Sequence, residues 1–95
     1  MHKMPSSDKH VAFVAGQLQL AIEALGLTQA QVARTLGITA SKLGNWKRGD
    51  NYPDPFLITM FCDRYNVTMD FLYRGHISGL SKELADGLAK SKAGG

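Results

Sequence analysis

Apolar residues at Val11, Val14, Leu18, Ile22 and Leu25 recur at steps of three and four, the spacing of one face of a helix. A first helix is therefore predicted over about 8–25, with Ser6 or Ser7 as its cap and Gly26 as its stop. Thr28-Gln29-Ala30-Gln31 has the form of a reciprocal capping box. In that box the threonine hydroxyl and the glutamine side chain each satisfy a backbone N–H that has no helical partner. Leu27 and Val32 bracket the cap as a hydrophobic staple, and the second helix is predicted to end at Leu36, before Gly37. The same chemistry repeats at once, with Thr39 as cap, Ile38 and Leu43 as staple and Gly49 as stop. Asp54-Pro55 opens a fourth helix to about Tyr65, the proline standing where its missing N–H costs nothing. Asn66 can end it, and Thr68, between Val67 and Leu72, begins a short fifth helix to about Tyr73. No segment alternates with period two between hairpin turns. The predicted fold class is all-α, with five helices.

Beyond Gly75, Leu80, Leu84 and Leu88 form a stripe with a four-residue spacing. It predicts a short sixth, C-terminal helix that packs on its own domain or on a partner, ahead of a frayed tail over 91–95. A chain of 95 residues has apolar surface for one core rather than two. The expected organisation is a flexible N-terminus (1–7), one domain (8–75) and a C-terminal extension (76–95) that is partly helical or disordered.

Composition narrows the class. At 44% hydrophobic and 20% charged the chain is of ordinary globular type. The net charge of +3 is small, but Arg34, Lys42, Lys47 and Arg48 lie between Glu23 and Asp50 with no acid among them. The basic character is thus local, as a polyanion site or a solvated basic face would make it. Cys62 stands alone, which excludes an intramolecular disulfide and a cysteine-based zinc site. Beside Met60 and Phe61 it reads as a small buried hydrophobe. No apolar run approaches the roughly 20 residues of a membrane span, and the N-terminus lacks a signal-peptide pattern. A soluble, cytoplasmic protein is expected. His2, His10 and His76 are scattered, and no phosphate loop, nucleophile elbow or metal-ligand spacing occurs. Neither an enzyme, a metal site nor a cofactor is expected.

Helices two and three, joined by about three residues, form a helix-turn-helix unit. Its constrained places are filled: Ala33 is small where the helices approach, Gly37 permits the turn, and Val32, Leu36, Ile38, Leu43 and Trp46 seal the unit to a core. The stretch from about Val11 to Gly75 resembles the lambda-repressor-like, Cro-type (Xre-like) DNA-binding domains of phage and bacterial regulators. The resemblance rests on Leu27 to Ala33, Leu36-Gly37-Ile38-Thr39, Asn45-Trp46-Lys47-Arg48-Gly49, Tyr52-Pro53-Asp54-Pro55 and Val67 to Leu72. It implies a five-helix domain whose third helix, about 39–48, enters the major groove of double-stranded DNA, usually as a homodimer on a two-fold-related site.

Helix geometry assigns roles beside that resemblance. With Leu43 and Trp46 turned inward, Ser41, Gly44, Asn45 and Arg48 should face outward, with Ala40 at the border and Lys42 and Lys47 on the flanks. Asn45 has the amide for adenine, Arg48 suits guanine or a phosphate, and Ser41 bonds to several bases. Ala40 or Thr39 can meet a thymine methyl. Gln29, Thr39, Lys42, Lys47, Asn51 and Tyr52 are the expected phosphate or sugar contacts, that of Gln29 being implied by the resemblance. Trp46 is expected in the core, and Gln31 in capping. Gly44 suits close approach to the duplex or to another helix. Some relatives pair an Arg in helix one with a Glu late in helix three; here Ile22 and Lys47 hold those places, so that pair should be absent. The expected function is a sequence-specific transcriptional regulator, a repressor. The alternative is a protein-interaction module of the same fold, such as an antitoxin that binds a toxin through helix four or the 76–90 stripe.

Overall fold

A computed structural model of the chain describes the backbone of residues 7–94 and the side chains of residues 8–90. Its elements are six helices: α1 (Ser7–Ala24), α2 (Gln29–Leu36), α3 (Ala40–Arg48), α4 (Pro55–Tyr65), α5 (Met69–Arg74) and α6 (Lys82–Gly94). No strand occurs among the described residues. Flexibility over 1–7 concerns residues that, apart from the Ser7 backbone, lie outside the described ones, as does a Ser6 cap.

The caps explain the boundaries. Thr28 accepts from the Gln31 N–H at 3.1 Å, and the Gln31 side chain accepts from the Thr28 N–H at 2.8 Å, so the capping box forms in full. Thr39, Asp54 and Thr68 repeat the first half of that device, each accepting from the N–H three residues on. At the corner between α2 and α3, Gly37 adopts φ 68°, where a side chain would strain the turn, and its N–H reaches the carbonyls of Ala33 and Arg34. Asn66 takes the same left-handed place after α4, at φ 57°.

All helices contribute to one core. Leu18 and Ile22 of α1, Val32 of α2, Leu43 and Trp46 of α3, Ile58 and Phe61 of α4 and Leu72 of α5 are buried. Every staple residue packs in or against this cluster. Among the described residues no polar or charged one is buried, so the core is held by apolar burial, at about 25 cal/mol per Å² removed from water. Cys62 is buried against Met69, its thiol 3.6 Å from the Met69 sulfur. Burial, with the Asp63 charge adding, pushes that thiol up to about 11, so it stays protonated at neutral pH.

The sixth helix completes the domain. Leu84 is fully buried, and Leu80 and Leu88 pack half-buried against the core. The leucine stripe is therefore satisfied within the chain and is not a free docking surface. Ser81 caps the helix by accepting from the Leu84 N–H. Residues 91–94 continue α6 instead of fraying. Gly87 is what seats it, for a Cβ there would lie 2.3 Å from the Ala24 carbonyl oxygen at the end of α1.

Candidate nucleic-acid interface

The corner after α2 aims α3 so that its two faces differ sharply. Leu43 and Trp46 point inward at 0% and 3% exposure, while Ala40, Ser41, Lys42 and Arg48 are exposed and Asn45 is half-buried beside them. Thr39 at the helix start and Asn51 and Tyr52 in the following loop are exposed as well. All eight are thus at least partly exposed.

Gly44 departs from the outward place expected of it. It is buried, because Arg48 folds back over it: a Cβ would lie 3.0 Å from Arg48 Nη1 and 3.6 Å from Gln29 Nε2. The guanidinium is held there from two sides. Its Nε donates to Asp50 Oδ2 at 3.1 Å, and its Nη2 donates to Asn45 Oδ1. The glycine thus serves as a seat for Arg48, which only a residue without a side chain gives so close to the helix backbone. Asn45 and Arg48, assigned separately from helix geometry, form one bonded unit with Asp50. Both partners of the Arg48–Asp50 pair are more than half exposed, and such a pair is worth at most about 1 kcal/mol. A phosphate or a base edge can displace it at little cost.

Lys47 and Gln29 also differ from simple solvated contacts. The Lys47 ammonium donates to Gln29 Oε1 at 3.2 Å, and Gln29 Nε2 donates to the Ala40 carbonyl at 3.1 Å. Gln29 thereby ties the start of α2 to both ends of α3. Gln19 of α1 donates to the Lys47 carbonyl at 2.6 Å, so α1 and α3 are joined by an amide where some relatives use an ion pair. Ile22 lies in the core. Lys42 remains exposed.

These helices present a small, polar and cationic surface on an apolar scaffold, with a sharp corner that fixes the angle of α3. The Cro/C1-type Helix-turn-helix family model matches residues 18–72, more than half of the chain. The chain belongs to this family. It is a DNA-binding helix-turn-helix domain of lambda-repressor-like, all-α fold, from a family that is not typically enzymatic. No curated protein and no solved structure matches the chain. Among the described residues no single helix is long and apolar enough to cross a membrane, and no group of three or more His, Cys, Asp or Glu could hold a metal ion.

Sequence reasoning overlooked several residues that shape this helix-turn-helix surface. Asp50 fell outside the periodic face, although its place two residues beyond Arg48 was a local signal. Gln19 and His10 carried none, since their partners are far along the chain. His10 sits under the loop after α3, bonded through Nδ1 to the Tyr52 hydroxyl at 2.7 Å and through Nε2 to the Tyr73 carbonyl at 2.8 Å. The Tyr52 and Tyr73 rings stack at 6.3 Å, 13° from parallel. Burial pushes the Tyr73 phenol above its usual range, with Cys62 and Tyr52 adding.

Proposed function

We propose that this helix-turn-helix protein is a sequence-specific repressor of transcription that lays α3 in the major groove of double-stranded DNA as a homodimer on a pseudo-palindromic operator. The observation that supports this reading is the outward face of α3: Ser41 and Arg48 are exposed and Asn45 is half-buried, while Leu43 and Trp46 are buried behind them. Asn45 and Arg48 read base edges, Ala40 and Ser41 border them, and Gly44 contributes by seating Arg48. Thr39, Lys42, Asn51 and Tyr52 meet phosphates or sugars, and Lys47 and Gln29 do so once DNA competes with their mutual bond. Because Ala40, Ser41 and Gly44 are small, part of the preference comes from DNA shape and bridging water. Occupancy of a promoter suffices for repression. The protein acts in the cytoplasm, where it meets that DNA.

Selection of bound duplexes from random sequence tests the reading. The expected product is a palindrome whose half-sites are about 10 bp apart; enrichment of no sequence would overturn it. A second reading, an antitoxin-like interaction module, is supported by Phe56, 72% exposed on α4, with Met60 and Met69 also exposed. Charge reversal at Lys42 and Lys47 separates the two, since it abolishes DNA binding and spares a partner held on α4.

A further inference from the structure

The His10 ring is enclosed by groups whose donor and acceptor roles are constrained. The Tyr73 carbonyl can only accept, so the His10 nitrogen facing it at 2.8 Å, Nε2, carries a hydrogen. In the neutral ring the other nitrogen is then an acceptor, and the Tyr52 hydroxyl, 2.7 Å away, donates to it. The hydroxyl hydrogen is thereby turned inward. What Tyr52, 41% exposed, offers outward from its oxygen is lone pairs, which repel a phosphate. Proton uptake by the ring reverses this bond. Nδ1 then donates to the Tyr52 oxygen, the Tyr73 bond is kept, and the hydroxyl hydrogen is free to turn outward. The added proton enters from solvent onto Nδ1, and no other bond is broken.

Resting on the DNA-binding reading above, we propose that His10 is a positioning residue for the DNA backbone, setting through its protonation whether the Tyr52 hydroxyl donates inward to His10 or outward to a phosphate. Tyr52 lies in the loop that follows the reading helix, after exposed Asn51 and before buried Pro53. The groups facing the ring are Tyr52 from that loop, with ring centres 5.7 Å apart, and Tyr73 from α5, at 6.2 Å. Phe13 stacks from one turn further along α1, and the charged neighbours on the helix itself are Asp8 and Lys9. The imidazolium also adds a positive charge beneath the contact, so both changes favour a polyanion in the same direction.

The test measures affinity for the duplex selected by the wild-type chain, at fixed salt, from about pH 7.5 to about pH 5.5, the range in which histidine changes charge. One gained bond to a charged oxygen per subunit should tighten wild-type binding about tenfold per half-site on acidification. Tyr52→Phe keeps every histidine and the stacked ring but has no hydroxyl to turn, so it should lose most of that gain whatever its affinity at high pH. His10→Gln keeps a donor for Tyr73 and an acceptor for Tyr52, and should behave alike. Thermal melting of both variants checks that they fold. An equal gain on acidification in wild type and Tyr52→Phe would overturn the proposal while leaving the DNA-binding reading intact. Absence of DNA binding at every pH would overturn that reading and the proposal together.

Discussion

Three helices of this domain carry a glycine in mid-course, where it costs about 1 kcal/mol relative to alanine, and two of these glycines, Gly87 and Gly44, answer to different neighbours. Gly87 in α6 faces backbone: a side chain there would be driven to 2.3 Å from the Ala24 carbonyl. Gly44 in α3 faces the movable ends of side chains, with Arg48 Nη1 at 3.0 Å and Gln29 Nε2 at 3.6 Å. The first glycine holds the fold together, because α6 can bury Leu84 only at that distance from α1. The second gives an arginine a resting place, and under the proposed function its meaning lies in what that arginine contacts. Identical residues in similar helices thus serve helix packing in one case and the seating of an arginine side chain in the other, and only the rigidity of the neighbour tells them apart.

The comparison can be broken most severely at Gly87. Gly87→Ala should destabilise the domain by about 1–3 kcal/mol, the usual cost of overpacking against atoms that cannot yield, seen as a lowered melting temperature. A variant as stable as the parent would mean that α6 is not seated on Ala24. On the other helix the largest effect should fall on recognition. Asn45→Ala removes both the proposed base contact and the acceptor that holds Arg48, so preference at one base pair per half-site should relax by about 1–3 kcal/mol, with the fold unchanged. An unaltered selected sequence would show that the reading face is assigned wrongly.

The caps sharpen the contrast at a smaller scale. Thr39 and Ser81 each accept from the N–H three residues on, at 3.0 and 3.2 Å. Thr39→Ala and Ser81→Ala should each cost about 1 kcal/mol of stability, yet only the first should weaken DNA binding, since in the proposed reading only α3 meets the groove. The smallest effect is expected at Gly44→Ala. Arg48 can shift by a few tenths of an ångström, so stability should hold or rise by up to about 1 kcal/mol, while binding to the selected duplex changes because Arg48 loses its seat. A loss of stability as large as that of Gly87→Ala would abolish the distinction between the two glycines.

The caps also explain how much of the fold was legible. Thr28 with Gln31, Asp54 with Pro55 and Asn66 after Tyr65 act within four residues of themselves, and the bounds of α2, α3 and α4 follow from them as predicted. The reach of α6 was harder to read, because its continuation over 91–94 follows no apolar stripe and Gly87 reads locally as a weakness. At the surface, the outward face of α3 followed from helical period alone. Gly44 did not, since its burial depends on where the Arg48 side chain folds, and a rotamer held by Asp50 and Asn45 leaves no trace in periodicity.

The sequence by itself determined the all-α class, the starts and stops of the central helices and the inward place of Leu43 and Trp46. Those properties rest on hydrogen bonds and periodicities spanning a few residues, so the local chain contains all that decides them. Tertiary structure alone decided which groups meet across the domain: His10 with Tyr52 and Tyr73, 42 and 63 residues away, Gln19 with Lys47, and Gly87 with Ala24. Such meetings depend on how rigid helices cross once the apolar core has closed, and no segment of the chain specifies that geometry on its own.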